Sequence, residues 1–362
     1  MNETSPRGLW QTLRDHSLVS GDLPPSASSP SPWYVRVMLG VAGWIGAFFL
    51  FGFVSAGLSF VLVSASAALI GGLLVSAGAG ALFRVERDND FIDQAALALS
   101  LLGQLLLIFA CYETFSNDAF LLYGSIFVVE LLATLAMPHF IYRVLTSAGA
   151  SIALTLAMHS VGLHGLADAL SAACFTLLWL QETAWVRLYS LWRPCGYGLA
   201  LALFCSPASR LWGLDTLMVQ RTGDLHGFMA VAPSLGNALL FAVFFGTALI
   251  LLRRLRIAVT SRTGCVALAS AILLAGVALF VPGLTQALLI VIIGHAACNR
   301  LLVGIGLAAL AGFIGGYYYT LQTTLLIKAA WLFASGALLI VARPLARAVL
   351  PTAVTREEPA DA

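Results

Sequence analysis

Long uncharged apolar stretches alternate with short charged clusters along almost the whole chain. From Val37 to Phe83 there is not one charged residue. A helical bilayer crossing takes about 20 apolar residues, so this run predicts two spans, turning near Ser55–Ser59. Further apolar runs predict spans at about 92–111, 120–138, 144–162 and 167–185, then a pair at 194–212 and 233–252. The last four fall near 264–281, 284–299, 301–319 and 322–342. The pattern predicts an all-α protein, a polytopic transmembrane helical bundle of about 12 spans. The seventh span is the shortest run, since Pro194 to Ser206 must continue past Pro207 toward Trp212 to cross.

Ahead of the first span the pattern changes. Ser5 and Pro6, followed by Leu9, Trp10 and Leu13, read as an N-cap, a first-turn proline and a narrow apolar stripe. They predict a short helix over 5–18, lying on the membrane surface or docked on the bundle. Residues 21–32 are rich in Pro and Ser and predict an extended linker, and Trp33 and Tyr34 mark the membrane interface. No short apolar core of a cleavable signal peptide precedes them, so the first apolar run is expected to remain as a span. The expected organisation is an N-terminal tail over 1–32, a membrane domain over 33–345 and a C-terminal tail over 346–362.

Charge orients this arrangement. Arg7, Arg14, Arg36, Arg84, Arg87, Arg143, Arg187, Arg193, Arg253, Arg254, Arg256, Arg262, Arg300, Arg343, Arg347 and Arg356 fall on one side of the predicted membrane, sixteen of the nineteen basic residues. Arg210 and Arg221 fall on the other, and Lys328 lies within a span. Cytoplasmic loops carry the arginine excess, so both termini are expected in the cytoplasm and the location is the inner membrane of a bacterial cell. Composition agrees: 60% of the residues are apolar and 10% charged, too few to clothe a water-soluble surface. A net charge of +2 with no long basic run speaks against nucleic acid as a partner.

Within the spans, a few polar residues carry the candidate chemistry. Glu130 falls near the middle of the fourth span, where a charge costs at least about 2.5 kcal/mol; it must be protonated, paired or turned to a cavity. Lys328 sits about six residues into the last span, with a stem long enough to reach outward. Glu130 and Lys328 are expected to face the interior, and pairing would cancel their charges. Gln104 and Gln94 in the third span, and His295, Asn299 and Arg300 at the end of the tenth, suit interhelical hydrogen bonds. His159 and His164 are five apart, a poor metal pair on one helix, and His159 joins Glu130, Lys328 and Gln104 as a candidate intramembrane polar site. Glu182 and Arg187 read as interfacial charges. The six cysteines contain no C-x-x-C and read as small apolar side chains, so neither disulfide, zinc nor other cofactor is expected. Gly72, Ser76 and Gly80, and Gly312 and Gly316, recur at the four-residue spacing that lets helices approach closely in lipid. Pro138, Pro194, Pro233, Pro282 and Pro344 fall at span ends.

No H-E-x-x-H, G-x-S-x-G or Walker A motif is present, and the longest outer loop, about 207–232 with Asp215, Asp224 and His226, is short for a catalytic domain. An enzyme is the least supported class. Two readings remain: a non-enzymatic component of a membrane complex, and a small-solute or ion permease using an intramembrane carboxylate. A faint two-halves pattern splitting near residue 200 suits the second, and the scarcity of broken spans suits the first.

The chain resembles the bacterial membrane family DUF4401. The resemblance rests on Leu9-Trp10 and Leu13 before the linker, and on Pro32-Trp33-Tyr34-Val35 leading into Gly43-Trp44. It continues through Phe91, Gln94, Ala98-Leu99-Ser100-Leu101 and Gly103-Gln104. It closes on Tyr317-Tyr318-Tyr319, Leu321, Thr324-Leu325-Leu326, Lys328 and Gly336, ending at Arg343. Where the family shows Lys-Ser, this chain has Lys328-Ala329. The resemblance implies an integral membrane protein with no assigned catalytic residues. Members resemble proteins encoded beside a second membrane protein, which implies such a protein as partner.

Overall fold

The computed structural model describes residues 6–16, 19–21, 64–85, 90–163, 165–181, 186–211, 232–278 and 283–320, with scattered positions between 38 and 57 and residue 340. The linker, the interfacial Trp33 and Tyr34, His164, Glu182, the outer loop and the last span with Lys328 lie outside the described residues. Contacts divide the chain into two units, Met1–Gly46 and Ala47–Ala362. In the first unit, Pro6 opens α1 (Pro6–Asp15), as a residue without an N–H can at the first helical position. The helix stops at Asp15, three residues short of the expected end.

Every described regular element of the second unit is helical. The helices are α2 (Ala65–Val85), α3 (Asp90–Phe115), α4 (Ala119–Ala136), α5 (Phe140–Ser160) and α6 (Leu166–Leu180). A short 3-10 turn, Val186–Leu188, leads into α7 (Tyr189–Leu211). There follow α8 (Ala232–Arg254), α9 (Arg262–Ala278), α10 (Leu284–Ala296) and α11 (Arg300–Thr320). These match the expected spans from the second through the eleventh to within a few residues.

The start of α2 carries its own cap. Residues 56 and 57 are still helical, and Ser64 caps α2 by accepting the Ala67 N–H at 3.2 Å. A hydroxyl at that position can satisfy the first free N–H groups, and the expected turn near Ser55–Ser59 falls largely on residues outside the described ones. Pro194 corrects one expectation. It lies inside α7, which begins at Tyr189, and Pro207 also lies inside that helix.

Local chemistry sets the turns. Asp118 caps α4 by accepting the Leu121 N–H at 3.1 Å. Pro138 then forces Met137 into an extended conformation (φ −98°, ψ 125°), ending α4, and His139 caps α5 by accepting the Tyr142 N–H. Because Pro138 has no N–H, the Thr134 carbonyl lacks its ordinary helical donor. Arg143 Nε supplies one at 3.2 Å, and the same guanidinium donates to the Ser190 carbonyl at 2.8 Å. Two other helices end on residues with positive φ that are not glycine: Arg256 (φ 54°) after α8 and Cys298 (φ 52°) after α10. In each, the N–H beyond the turn reaches back to the helix, Ile257 to Leu252 at 3.0 Å and Asn299 to Gly294 at 2.8 Å.

Packing follows small residues. On α2 and α3, a methyl group at Gly103 would stand 3.0 Å from the Gly72 carbonyl, so these backbones touch. Gly80, one helical turn beyond Ser76, faces Met137 at 3.9 Å instead, and Gly312 faces Phe204 at 3.8 Å. The main core joins Phe175 and Trp179 of α6, Trp192, Tyr197 and Leu203 of α7, Phe244 of α8 and Ile290 and Ile293 of α10. Large apolar side chains point outward, among them Leu121, Val128, Leu132 and Leu135 of α4, as a lipid-facing surface requires.

Five described helices are long and apolar enough to cross a membrane: those over Ala65–Arg84, Asp93–Phe115, Ala119–Ala136, Phe140–Ser160 and Leu235–Arg254. Four more apolar segments are shorter, Leu166–Leu180, Arg262–Ile272, Leu284–Ala296 and Arg300–Gly316. At 1.5 Å per residue, a 13-residue helix such as α10 covers about 20 Å, against about 30 Å of hydrocarbon.

Candidate functional site

Glu130 lies on α4, whose other residues mostly face outward, and is itself only 2% exposed. Its Oε1 accepts a hydrogen bond from Gln104 Nε2 of α3 at 2.6 Å. On its far side is Gly149 of α5: a Cβ there would stand 3.0 Å from the Glu130 carboxyl carbon. The carboxyl group is thus clamped between an amide and a bare stretch of backbone, at the meeting of three helices. Its Oε2 and Gln104 Oε1 are both buried and make no hydrogen bond.

The turn below this clamp is bound by hydroxyls. Thr134 Oγ1 donates to the Glu130 carbonyl at 2.8 Å and lies 2.8 Å from Thr146 Oγ1 of α5. Thr146 in turn donates to the Tyr142 carbonyl at 2.9 Å. Arg143 closes the end of α4 as described. These bonds fix the α4–α5 hairpin and so the height at which Glu130 meets Gln104.

A second carboxylate is buried, and it was not among the residues that the sequence singled out. Asp168, in the first turn of α6, is 3% exposed. Its Oδ1 accepts from Ser206 of α7 at 2.6 Å and from Thr155 of α5 at 3.4 Å. One turn along, Ser151 and Ser171 hydroxyls meet at 2.7 Å. An acid at the predicted start of a span reads as interfacial. The available signal was the hydroxyl pattern around it, Ser151 and Thr155 four apart and Asp168 and Ser171 three apart, each pair on one helix face. Beside these residues, α4 to α7 line a mostly apolar pocket of about 280 Å³, partly open to the outside, with Phe127, Leu131, Ser151, Ser171, Cys174 and Leu199 among its walls.

The structure brings Glu130 and Gln104 together and leaves His159 apart. His159 is half-buried in the last turn of α5, ten residues or about 15 Å along the helix from Gly149. Lys328 lies outside the described residues. Of the other polar residues, Asn299 donates to the Tyr197 hydroxyl at 2.6 Å, joining the α10–α11 turn to α7. No cluster of three His, Cys, Asp or Glu able to hold a metal ion occurs among the described residues. At the α4–α5 turn, the His139 ring stacks on Phe83, centroids 4.8 Å apart. Burial there holds the imidazole below the usual histidine range, against an opposing pull from Asp93.

No curated protein and no solved structure matches the chain. The family model described as a domain of unknown function, DUF4401, matches residues 32–347. With nearly the whole apolar helical region inside that match, the chain belongs to the DUF4401 family.

Proposed function

We propose that this protein is a non-enzymatic component of a membrane complex, a twelve-span bundle in the inner membrane with both termini in the cytoplasm. The observation that carries this reading is where the intramembrane polar groups go. Gln104 bonds Glu130, Ser206 and Thr155 bond Asp168, Ser151 meets Ser171, and Thr134 meets Thr146. Each pair joins two helices, so polarity is used to fix helix against helix rather than to assemble a reactive cluster. The faces left outward are apolar and suit lipid or a second membrane protein. Affinity purification of the tagged chain from its native membranes tests the reading. A second membrane protein is expected at stoichiometric yield, and recovery of this chain alone refutes the complex.

A second reading, a small-solute or ion permease built on Glu130, is favoured by one observation. A purely structural bridge uses both oxygens of a buried carboxyl group, whereas Glu130 Oε2 is left without a donor. Uptake into vesicles driven by a pH gradient, compared between wild type and Glu130→Gln, tests it.

A further inference from the structure

We propose that Glu130 and Gln104 form a proton-binding site, in which Glu130 stands as a neutral carboxylic acid paired with the Gln104 amide. The inference supplies chemistry for the permease reading and rests on the same carboxyl group, but it does not require any solute to cross.

The argument is a count of donors. A carboxylate offers only acceptors, and a glutamine side chain offers two N–H donors and one acceptor. One N–H is used in the bond to Glu130 Oε1 at 2.6 Å. Two oxygens, Glu130 Oε2 and Gln104 Oε1, are then buried with no donor. Both are acceptors, so turning one toward the other gives repulsion, not a bond. A single proton on Oε2 changes the balance. The acid O–H donates to the amide carbonyl while the amide N–H donates to the acid carbonyl, and the two bonds close a ring. Proton uptake from water breaks no other bond and needs no further reactant.

The surroundings favour the same state. Gly149 presses bare backbone against the carboxyl group and brings no donor side chain. Arg143, the cation that α5 carries nearest this level, already donates to the Thr134 and Ser190 carbonyls. Tyr142 of α5, buried close enough to feel a charge on Glu130, bonds neither free oxygen. An unpaired charge in such a place is strongly disfavoured, and a neutral acid with both oxygens bonded avoids that cost. Loss of the proton leaves the Gln104 carbonyl facing a carboxylate, so the site couples protonation to the seam between α3 and α4.

The test is infrared difference spectroscopy on the full chain in lipid at neutral pH, with glutamate labelled with ¹³C so that Asp168 does not contribute. Wild type should show a labelled carboxylic-acid C=O band that shifts in D2O and is lost in Glu130→Gln. Gln104→Leu should move that band to higher frequency, because the hydrogen bond to the acid carbonyl is removed. A wild-type spectrum with only carboxylate bands overturns the proposal. So does an acid band that Gln104→Leu leaves in place, or one that emerges only in Lys328→Met, which would mean an ion pair with Lys328. If the acid band is present while pH-driven uptake is absent, the permease reading fails and the proton site stands.

Discussion

At Gly149 a single absent methyl group decides whether Glu130 fits. A Cβ placed there stands 3.0 Å from the carboxyl carbon, inside normal contact. Gly149→Ala is therefore expected to destabilise the protein by about 1–3 kcal/mol, as overpacking of a close-fitted interior does. Much of that loss should vanish in a Glu130→Ala background, where the clashing group is gone. Thermal unfolding of the four proteins in detergent closes the cycle, and strictly additive losses would show that Gly149 and Glu130 do not touch. His139 gives a second residue-scale expectation. Its folded-state pKa is lowered by burial, so the unfolded chain binds the proton first as pH falls. Stability should be full above about pH 6.5 and decline as pH drops through and below that value. His139→Asn keeps a side chain able to cap α5 and should flatten this slope; an unchanged slope would assign it to other groups. Glu130 was legible in the sequence because a charge between apolar runs is conspicuous. Its clamp was not, since a hydrogen bond between α3 and α4 and the gap at Gly149 depend on how helices rotate against one another. Asp168 was missed for the opposite reason: at the start of a span a charge excites no suspicion, and only the fold puts Ser206 beside it.

Among the elements, boundaries were readable wherever the chain uses a local signal. Asp118 before α4 and Pro138 after it mark that helix to within a couple of residues. At the onset of α2 the local signal is Ser64, whose hydroxyl accepts the Ala67 N–H. Pro194 was placed at a helix end, yet α7 starts one turn earlier at Tyr189. The turns after α8 and α10 yield an element-scale prediction. Cys298 holds φ 52°, a conformation that costs a residue with a side chain about 1–2 kcal/mol. Cys298→Gly should stabilise the α10–α11 hairpin by up to about 1 kcal/mol after glycine's greater unfolded-state entropy is deducted. A lower melting temperature would mean that the cysteine side chain contributes more than its backbone costs. At the α2–α3 contact the opposite holds. Gly103→Val meets the Gly72 carbonyl and the Ser76 amide, both backbone, so the helices must separate. The loss expected there is at least as large as at Gly149, and a smaller one would mean that the pair yields easily.

For the whole molecule, the apolar pattern conveyed the all-helical membrane character and most helix positions. It did not convey that α6 and α10 are short for a straight crossing, because hydropathy averages over windows longer than those helices. Reporter fusions after Arg262 and at Ala362 should both read cytoplasmic, following from sixteen arginines on one predicted side and two on the other. A periplasmic signal at either position breaks the twelve-span arrangement. One of those arginines carries a complication for any such experiment. Arg143 belongs to the set from which the orientation is predicted, and it also bonds the carbonyl that Pro138 leaves without a donor. Its guanidinium is a rivet, whatever its charge does for orientation. Arg143→Glu would then misfold the α4–α5 hairpin whether or not it re-routed the chain, and loss of protein at that position would say nothing about orientation. Arg253, Arg254 and Arg262 make no such bond among the described contacts, so charge reversal there can ask the topological question alone.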